Sequence, residues 1–249
     1  MFVTSMSTLN LFSLITAGYM EMNGKNKQYA KFFDAAKDEN EHKLLSRNGM
    51  LLFYTPSFLM GLASFAIFNH QDLRFVMVVY ILTIHFFKRI LEVLFVHKFS
   101  GFMIVNAAIT IGLSYAVSTA TMIYAQYLSQ ESPKPCIDLK YIGLGMFLIG
   151  ITGNFYHHYI LSNLRTKGER EYKIPKGGLF GLVICPHYLF EIIEFIGISF
   201  ISQTTFAFCF ILGTIFLLMG RSHATRNWYA SKFGEEFHKD IKALIPYLF

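Results

Sequence analysis

The chain has 249 residues, of which 53% are hydrophobic and only 15% are charged, and its mean hydropathy is +0.41. Soluble domains usually carry about 25% charged residues, so this composition excludes an ordinary soluble domain and indicates an integral membrane protein. The net charge of +6 is modest and does not predict a nucleic-acid partner. The three cysteines have no CxxC spacing, so neither a disulfide framework nor a zinc site is indicated.

Apolar stretches of roughly 20 residues, long enough to cross a membrane, occur seven times. They cover residues 2–20, 49–68, 74–96, 101–128, 138–161, 185–202 and 204–220. The predicted fold class is therefore all-α, a polytopic membrane protein with a seven-transmembrane-helix bundle in one membrane domain, residues 1–249. The first stretch lacks a basic n-region and a cleavage site, so we expect a first span rather than a signal peptide. The mixed-charge segment 21–48 is expected to be a helical connector at the membrane surface.

Most of the 22 Lys and Arg residues fall on one side of this arrangement. They lie in the loops at 21–48, 97–100 and 162–184 and in the tail at 221–249. Because cytoplasmic loops carry the Lys and Arg excess, the N-terminus is expected to be lumenal and the C-terminus cytosolic. The expected surroundings of the spans are membrane lipids.

The third span ends in the polar sequence HFFKRILEVLFVHKFS. At 3.6 residues per turn, His85, Arg89 and Glu92 lie on one stripe of the helix, with Lys88 beside it. Ionisable residues inside a membrane usually face a bundle interior or a cavity. A snorkelling basic helix end with an Arg89–Glu92 ion pair is the alternative, and the sequence leaves both open.

The fifth span carries a similar stripe, formed by Asn154, His158 and Arg165. The adjacent pair His157–His158 does not predict a metal site, because none of the nine histidines belongs to an HxxxH or HxxHH cluster. The loop 166–184 that follows is basic and rich in glycine. It suits an anionic phosphate group, although such a loop also suits lipid headgroups.

The sixth span begins CPHYLFEIIEF, which puts His187, Glu191 and Glu194 on one helix face with Tyr188 at its edge. Two carboxylates in an apolar span cost several kcal/mol unless they are paired or hydrogen-bonded. We therefore predict a functional site here, with pairing to a nearby arginine as the alternative.

The tail has a helical stripe just beyond the seventh span, formed by Arg221, Thr225, Tyr229 and Lys232. This stripe predicts a helix that caps the cytosolic mouth of the bundle. An amphipathic helix lying in the membrane interface explains the same pattern.

Five motifs in order resemble the steroid 5α-reductase family, which also includes the very-long-chain trans-2-enoyl-CoA reductases and the polyprenol reductases. They are HFFKRILEVLFVHKFS, GNFYHHYILSNLR, YKIPKGGLF, CPHYLFEIIEF and WYASKFGEEFHKDIKALIPYLF. The resemblance covers about residues 80–249. It implies a seven-span protein of the endoplasmic reticulum membrane that uses NADPH, bound by cytosolic loops, to reduce a C=C bond conjugated to a carbonyl.

Carried onto this chain, the resemblance implies two groups of residues and no metal. The catalytic group is Tyr54, Tyr188 and Glu191. The NADPH-binding group is Arg89, Asn154, His158, Arg165, Tyr172, Lys173, His187, Glu191, Arg221 and Tyr229.

The sequence departs from the steroid branch at both residues that usually donate to the steroid carbonyl. Tyr54 occupies the region where a glutamate is usual, and Phe86 replaces a tyrosine. Near the tail, Arg226 replaces a histidine. His158 agrees with the enoyl-CoA branch.

The expected partner is a lipid substrate. A 3-oxo-4-ene steroid is favoured by the name-giving activity of the family and by the short chain, and a long-chain enoyl thioester is the alternative. Methyl transfer is disfavoured because Ile184-Cys185-Pro186 replaces the Arg-His-Pro motif of the related methyltransferases. A non-catalytic membrane scaffold would leave the polar stripes on three spans unexplained.

Overall fold

The computed structural model describes residues 1–25, 30–33, 41–68, 72–99, 101–133, 135–164 and 171–249. Most of these residues belong to seven α-helices. In chain order they are α1 Phe2–Met22, α2 Ser46–Ile67, α3 Leu73–Leu91, α4 Val105–Ser129, α5 Lys140–Asn163, α6 Pro186–Ser202 and α7 Thr205–Phe233. Each helix overlaps one of the seven predicted apolar stretches, so the prediction of a mainly helical protein is confirmed. The last helix continues to Phe233, well past the predicted end at residue 220.

Within the described ranges, three helical stretches are long and apolar enough to cross a membrane by length and composition, Ser46–Ile67, Val105–Ser129 and Thr205–Glu236. By contrast, α6 has 17 residues, fewer than the roughly 20 that a span needs. Large apolar side chains such as Leu59 and Leu113 are exposed on the outside of α2 and α4. An apolar outer surface of this kind suits contact with lipid. The membrane character is supported, and the count of seven spans stays a prediction.

A short antiparallel ribbon joins the starts of α2 and α4. Strand β1, Lys43–Leu45, pairs with strand β2, Phe102–Ile104. The backbone N–H of Ser46 then donates to the carbonyl of Gly101 at 3.0 Å, at the point where α2 begins. Residues 26–29 and 34–40 of the expected helical connector over 21–48 lie outside the described residues, and the expectation is wrong at Lys43–Leu45. Their backbone groups are satisfied across the ribbon instead of within a helix.

Helices α5 and α6 pack closely because Gly150 has no side chain. A Cβ atom at this position would lie 2.4 Å from the backbone nitrogen of Glu194. Gly145 of the same helix makes no such contact, because nothing lies within 4 Å of a Cβ atom built there. The close approach brings the polar stripe of α5 against the start of α6.

Helix α3 runs from the largest apolar core cluster to a polar end. The core lies among α3, α6 and α7 and includes the fully buried side chains of Phe75, Ile198 and Phe206. At the other end, α3 changes into a π-helical turn, Glu92–Val96, in which the N–H of His97 donates to the carbonyl of Glu92 at 2.8 Å. Such turns frequently occur at functional sites.

Candidate active site

Arg89 lies at the centre of a buried polar cluster and is only 8% exposed. Its Nη1 donates to Glu92 Oε2 at 2.5 Å and lies 2.9 Å from His158 Nδ1. Its Nη2 donates to the Tyr54 hydroxyl at 2.6 Å. One guanidinium therefore connects α2, α3, the π-helical turn and α5. We call the following residues the Arg89 cluster: Tyr54, Lys88, Arg89, Glu92, Asn154 and His158.

Lys88 and Asn154 extend this cluster to α6. The Lys88 ammonium lies 3.0 Å from Glu92 Oε1 and donates a short hydrogen bond to Asn154 Oδ1. Asn154 Nδ2 in turn donates to the backbone carbonyl of His187 at 2.8 Å. The rings of His158 and His187 have centroids 5.3 Å apart. The predicted stripes on three different helices therefore meet in one place.

The Arg89 cluster concentrates positive charge. Lys88 and Arg89 share the Glu92 carboxylate, and the Glu191 carboxylate of α6 also lies in the field of Arg89. Buried charges are costly unless they are paired, so two cations beside one shared carboxylate suit an anionic ligand. The Arg89–Glu92 ion pair that the sequence left open is present, and it exists within a larger network.

Glu92, His97 and His158 place their ligand atoms within 4.8 Å of one another, a spacing that a metal ion would accept. Two cationic side chains already contact the Glu92 carboxylate, so a metal cation there would meet repulsion from both. Burial and the neighbouring Arg89 charge lower the pKa of His97 to about 4, which keeps this ring neutral at physiological pH.

The two carboxylates of α6 differ in their surroundings. Glu194 is fully buried and its Oε1 pairs with His85 Nδ1 at 2.7 Å, so its partner is a histidine rather than the arginine that we considered. Its Oε2 has no hydrogen-bond partner among the described residues. Glu191 is only partly buried and lies in the electrostatic field of Arg89. Glu194 therefore belongs to the α3–α6 packing, and Glu191 is the carboxylate oriented toward the cluster.

The start of α6 is fixed by the tail of the chain. Pro186 occupies the first helical turn, where its missing N–H costs nothing. Just before it, the N–H of Cys185 donates to the carbonyl of Ala243 at 3.2 Å. At this start of α6 the rings of His187 and Tyr188 have centroids 4.3 Å apart. The Nδ1 atom of His187 is buried and has no hydrogen-bond partner within the described part of the chain.

A second group of polar and aromatic side chains surrounds Arg221 on α7. Arg221 Nη1 donates to Glu21 Oε2 of α1 at 2.7 Å, and the guanidinium carbon lies 4.2 Å from the centre of the Phe32 ring. The Lys31 ammonium lies 5.1 Å from the centre of the Tyr229 ring. We call these residues the Arg221 cluster: Glu21, Lys31, Phe32, Arg221 and Tyr229.

Tyr172 packs next to this second cluster. Its ring meets the Trp228 ring edge-on, with centroids 4.8 Å apart, and the Lys232 ammonium lies 5.2 Å from the Tyr172 centroid. These contacts place Tyr172, from the loop 166–184, against the last turns of α7.

The structure places four predicted site residues in the Arg89 cluster, Tyr54, Arg89, Asn154 and His158, and two in the Arg221 cluster, Arg221 and Tyr229. His187, Tyr188 and Glu191 lie on the first turns of α6, and Tyr172 packs against Trp228. Arg165 lies outside the described residues, and Lys173 is exposed. Sequence reasoning did not select Lys88 and Glu92 as site residues, although both lie on or beside the predicted stripe. It missed Glu21, whose signal was an acidic residue just past the end of the first apolar stretch.

The donor set fits an elongated anionic ligand with aromatic rings. It offers cationic side chains in both clusters and the packed rings of Tyr172, Trp228 and Tyr229 near Arg221. Among the buried polar atoms without hydrogen-bond partners in the described residues, His187 Nδ1, Ser222 Oγ and Thr225 Oγ1 lie at or beside the two clusters. Buried polar groups are normally satisfied, so these atoms point to a missing partner.

Comparison with known proteins identifies the family. The model of the 3-oxo-5-alpha-steroid 4-dehydrogenase family matches residues 100–249. The chain belongs to this family. The match includes α5, α6 and α7 and therefore most of the predicted cofactor-binding residues, whereas Tyr54, Arg89 and Glu21 lie before it.

Individual relatives come from two branches. The chain is 36% identical over 178 residues to a very-long-chain enoyl-CoA reductase from Dictyostelium discoideum, in an alignment covering 67% of this chain and 55% of that protein. It is 42% identical over 107 residues to a steroid 5-alpha-reductase from Gossypium hirsutum, covering 43% of this chain and 42% of that protein. For a human 3-oxo-5-alpha-steroid 4-dehydrogenase 1 the identity is 41% over 108 residues, covering 43% of this chain and 41% of that protein. The chain spans about half the length of these relatives.

Proposed function

We propose that this protein is an NADPH-dependent reductase of a C=C bond conjugated to a carbonyl in a lipid, with a 3-oxo-4-ene steroid as the substrate. The observation that supports this proposal is the Arg89 cluster. It is a buried, positively charged network that ends in a tyrosine hydroxyl, and it lies beside the start of α6, which belongs to the family-matched region.

The two clusters supply the residues that would hold NADPH. Arg89, Asn154, His158, His187 and Glu191 would surround one end of the cofactor. Arg221, Tyr229 and Tyr172, with Arg165 and Lys173 from the basic loop, would bind the phosphates and the adenosine end. When bound, NADPH supplies the hydride that reduces the β-carbon of the substrate. The residues of the chain orient the reactants, exclude water and stabilise charge.

Tyr54 is the residue best suited to polarise the substrate carbonyl. Its oxygen accepts a hydrogen bond from the Arg89 guanidinium, which fixes the position of the hydroxyl within the cluster. Accepting from a cation also makes the phenol a stronger donor. A well-placed donor at a developing oxyanion contributes roughly 3–4 kcal/mol to catalysis. Tyr188 is the alternative donor from the opposite wall, and Glu191 would carry the proton for the α-carbon.

The ring of Tyr115 lies next to the position at which the steroid branch has a tyrosine and this chain has Phe86. It stacks on Tyr54 with centroids 6.0 Å apart and lies 6.1 Å from the ring of Phe86, which occupies the position of that tyrosine. Two phenols therefore line the wall where a steroid carbonyl would bind, which supports the steroid assignment despite the departures in sequence.

A second candidate is a very-long-chain trans-2-enoyl-CoA reductase. The alignment with the enoyl-CoA reductase covers more of this chain, 67%, than the 43% covered by the cotton and human steroid relatives. His158, which contacts both Arg89 and Glu92, also agrees with that branch.

We propose the same membrane arrangement of the chain for either candidate function. All seven helices cross the endoplasmic reticulum membrane, with the N-terminus lumenal and the C-terminus cytosolic. This orientation places the loop 162–184 and both clusters on the side where NADPH is available. Protease protection of terminal tags in sealed microsomes tests it. The arrangement fails if a C-terminal tag is protected.

The decisive experiment uses the purified full chain in detergent with NADPH and either a 3-oxo-4-ene steroid or a long-chain trans-2-enoyl-CoA. Consumption of NADPH with the steroid supports the first candidate, and consumption with the enoyl-CoA alone supports the second. A thermal shift with NADPH and not with NADH is the accompanying binding assay, because a specific ligand stabilises by RT ln(1 + [L]/Kd). No turnover and no binding would remove both candidates.

A further inference from the structure

The ion pair between Glu21 and Arg221 joins the first and last helices and is almost completely buried. The exposed fractions are 3% for Glu21 and 4% for Arg221, and the two side chains meet at 2.7 Å. Burial of two charges has a large desolvation cost, so a pair of this kind is weak evidence for a purely stabilising role. Glu21 also lies outside the region matched by the family model, which begins at residue 100.

Helix α1 holds Glu21 at this position with little freedom. A Cβ atom at Gly220 would lie 2.1 Å from the carbonyl oxygen of Gly18, so the two helices touch through their backbones one turn before the ion pair. Such contact leaves no room for α1 to slide along α7. The carboxylate is therefore a fixed negative charge beside the Arg221 guanidinium.

The polar groups around the ion pair could bind an acceptor other than Glu21. Ser222 and Thr225, at 0% and 1% exposure, each have a hydroxyl oxygen with no hydrogen-bond partner in the described residues. The buried thiol that faces both, Cys185, is only a weak acceptor. The Lys31 ammonium adds a second positive charge close to the same helix. These groups together suit an anionic oxygen-rich ligand, and Glu21 is the negative charge that such a ligand meets.

We propose that Glu21 sets the affinity of this site for nucleotides by competing with the phosphate groups of the ligand for Arg221. The inference rests on the proposed function, because the ligand in question is NADPH. Glu21 acts as a specificity-determining residue supplied by the first helix. It stabilises the ligand-free protein and weakens anion binding at the same time.

The test is the affinity of the purified full chain for NADPH and for 2′,5′-ADP, which lacks the nicotinamide. Glu21→Gln removes the charge and keeps the shape of the side chain. We expect roughly tenfold tighter binding of both ligands, the order expected when one opposing charge a few ångströms away is removed. The same variant should melt at a lower temperature without ligand, since Arg221 then loses its counter-charge. A merely structural residue would lower both stability and affinity.

Glu235→Gln is the matched control, because Glu235 is exposed at the end of α7 and its replacement changes the net charge equally. We expect wild-type affinity from it. If Glu21→Gln does not fold, Glu21→Asp withdraws the carboxylate by one methylene and should bind more tightly than wild type. Unchanged or weaker binding by the folded Glu21 variant, with wild type still binding NADPH, overturns this inference alone. A wild-type protein that binds neither ligand overturns the proposed function as well.

Discussion

The Arg89 cluster and the Arg221 cluster each bury an arginine beside a glutamate, but they differ in what surrounds the pair. Arg89 contacts Glu92, His158 and Tyr54 within one network. Around Arg221 lie aromatic rings and, one turn further along α7, the unpartnered hydroxyl of Thr225.

This difference separates two tasks. A saturated network holds its members in one geometry, which suits the positioning of a proton donor for chemistry. An unsaturated site keeps polar groups available for a ligand that arrives and leaves. We therefore expect substitutions in the Arg89 cluster to affect stability and turnover as well as NADPH binding, and substitutions around Arg221 to affect chiefly nucleotide affinity.

The largest effect is expected from Glu92→Gln. Removal of this carboxylate leaves Lys88 and Arg89 buried without a counter-charge, which typically costs about 3–5 kcal/mol of folding stability. Thermal unfolding in detergent, without ligand, measures the loss.

Asp138→Asn is the control for this change. Asp138 pairs with Arg74 at 2.7 Å, but its side chain is 41% exposed. Because water screens an exposed ion pair, loss of this pair should cost little folding stability. If both variants lower the melting temperature equally, the Arg89 cluster is not the structural network that we describe.

Tyr54→Phe is expected to have the next largest effect, on turnover alone. Loss of the donor to the carbonyl oxygen should lower kcat by about 10²–10³-fold, while the KM for NADPH stays unchanged. Steady-state kinetics with the better of the two substrates measures both constants.

Tyr115→Phe provides the comparison, because it keeps the stacked ring and removes the other phenol of this wall. A large loss of kcat in Tyr115→Phe, with Tyr54→Phe near wild type, would transfer the donor role to Tyr115.

Thr225→Val has the smallest expected effect, and it should act differently on stability without ligand and on NADPH affinity. The substitution removes a buried hydroxyl that has no partner in the described ligand-free chain, so stability without ligand should stay the same or rise. A lost hydrogen bond to the ligand should weaken NADPH binding by about 1 kcal/mol, roughly fivefold. Equilibrium binding measures the loss of NADPH affinity, and thermal unfolding measures the change in stability without ligand.

Thr214→Val is matched on the same helix. The hydroxyl of Thr214 is buried and already donates to the carbonyl of Phe210 at 2.8 Å. Its removal should leave NADPH affinity unchanged. Equal loss of affinity in both variants would contradict a ligand contact at Thr225.

The helices and the polar stripes could be predicted from the sequence because both follow from local periodicity. The spacing of Arg89 and Glu92 is sufficient to anticipate their ion pair, and the stripe from Arg221 to Tyr229 follows α7 as expected. These inferences need only the geometry of one helix.

The partners that cross between helices could not be predicted in the same way. Tyr54 meets Arg89 across 35 positions and Glu21 meets Arg221 across 200, and no local rule relates such residues. The π-helical turn after Leu91 was missed because it depends on the same tertiary contacts. The strand at Lys43–Leu45 was missed because its hydrogen-bonding partner lies far along the chain.

The ribbon of β1 and β2 has a consequence for the alignment of the two phenols. It leads directly into α2, which carries Tyr54, and into α4, which carries Tyr115. A slip in the pairing of these strands would displace one helix against the other by about 3.3 Å for each residue. That distance is about two residues of helical rise, enough to take the two rings out of stacking. The pairing of the two three-residue strands therefore sets the alignment of Tyr54 with Tyr115 in the proposed substrate site, although neither strand contributes a side chain to the two clusters.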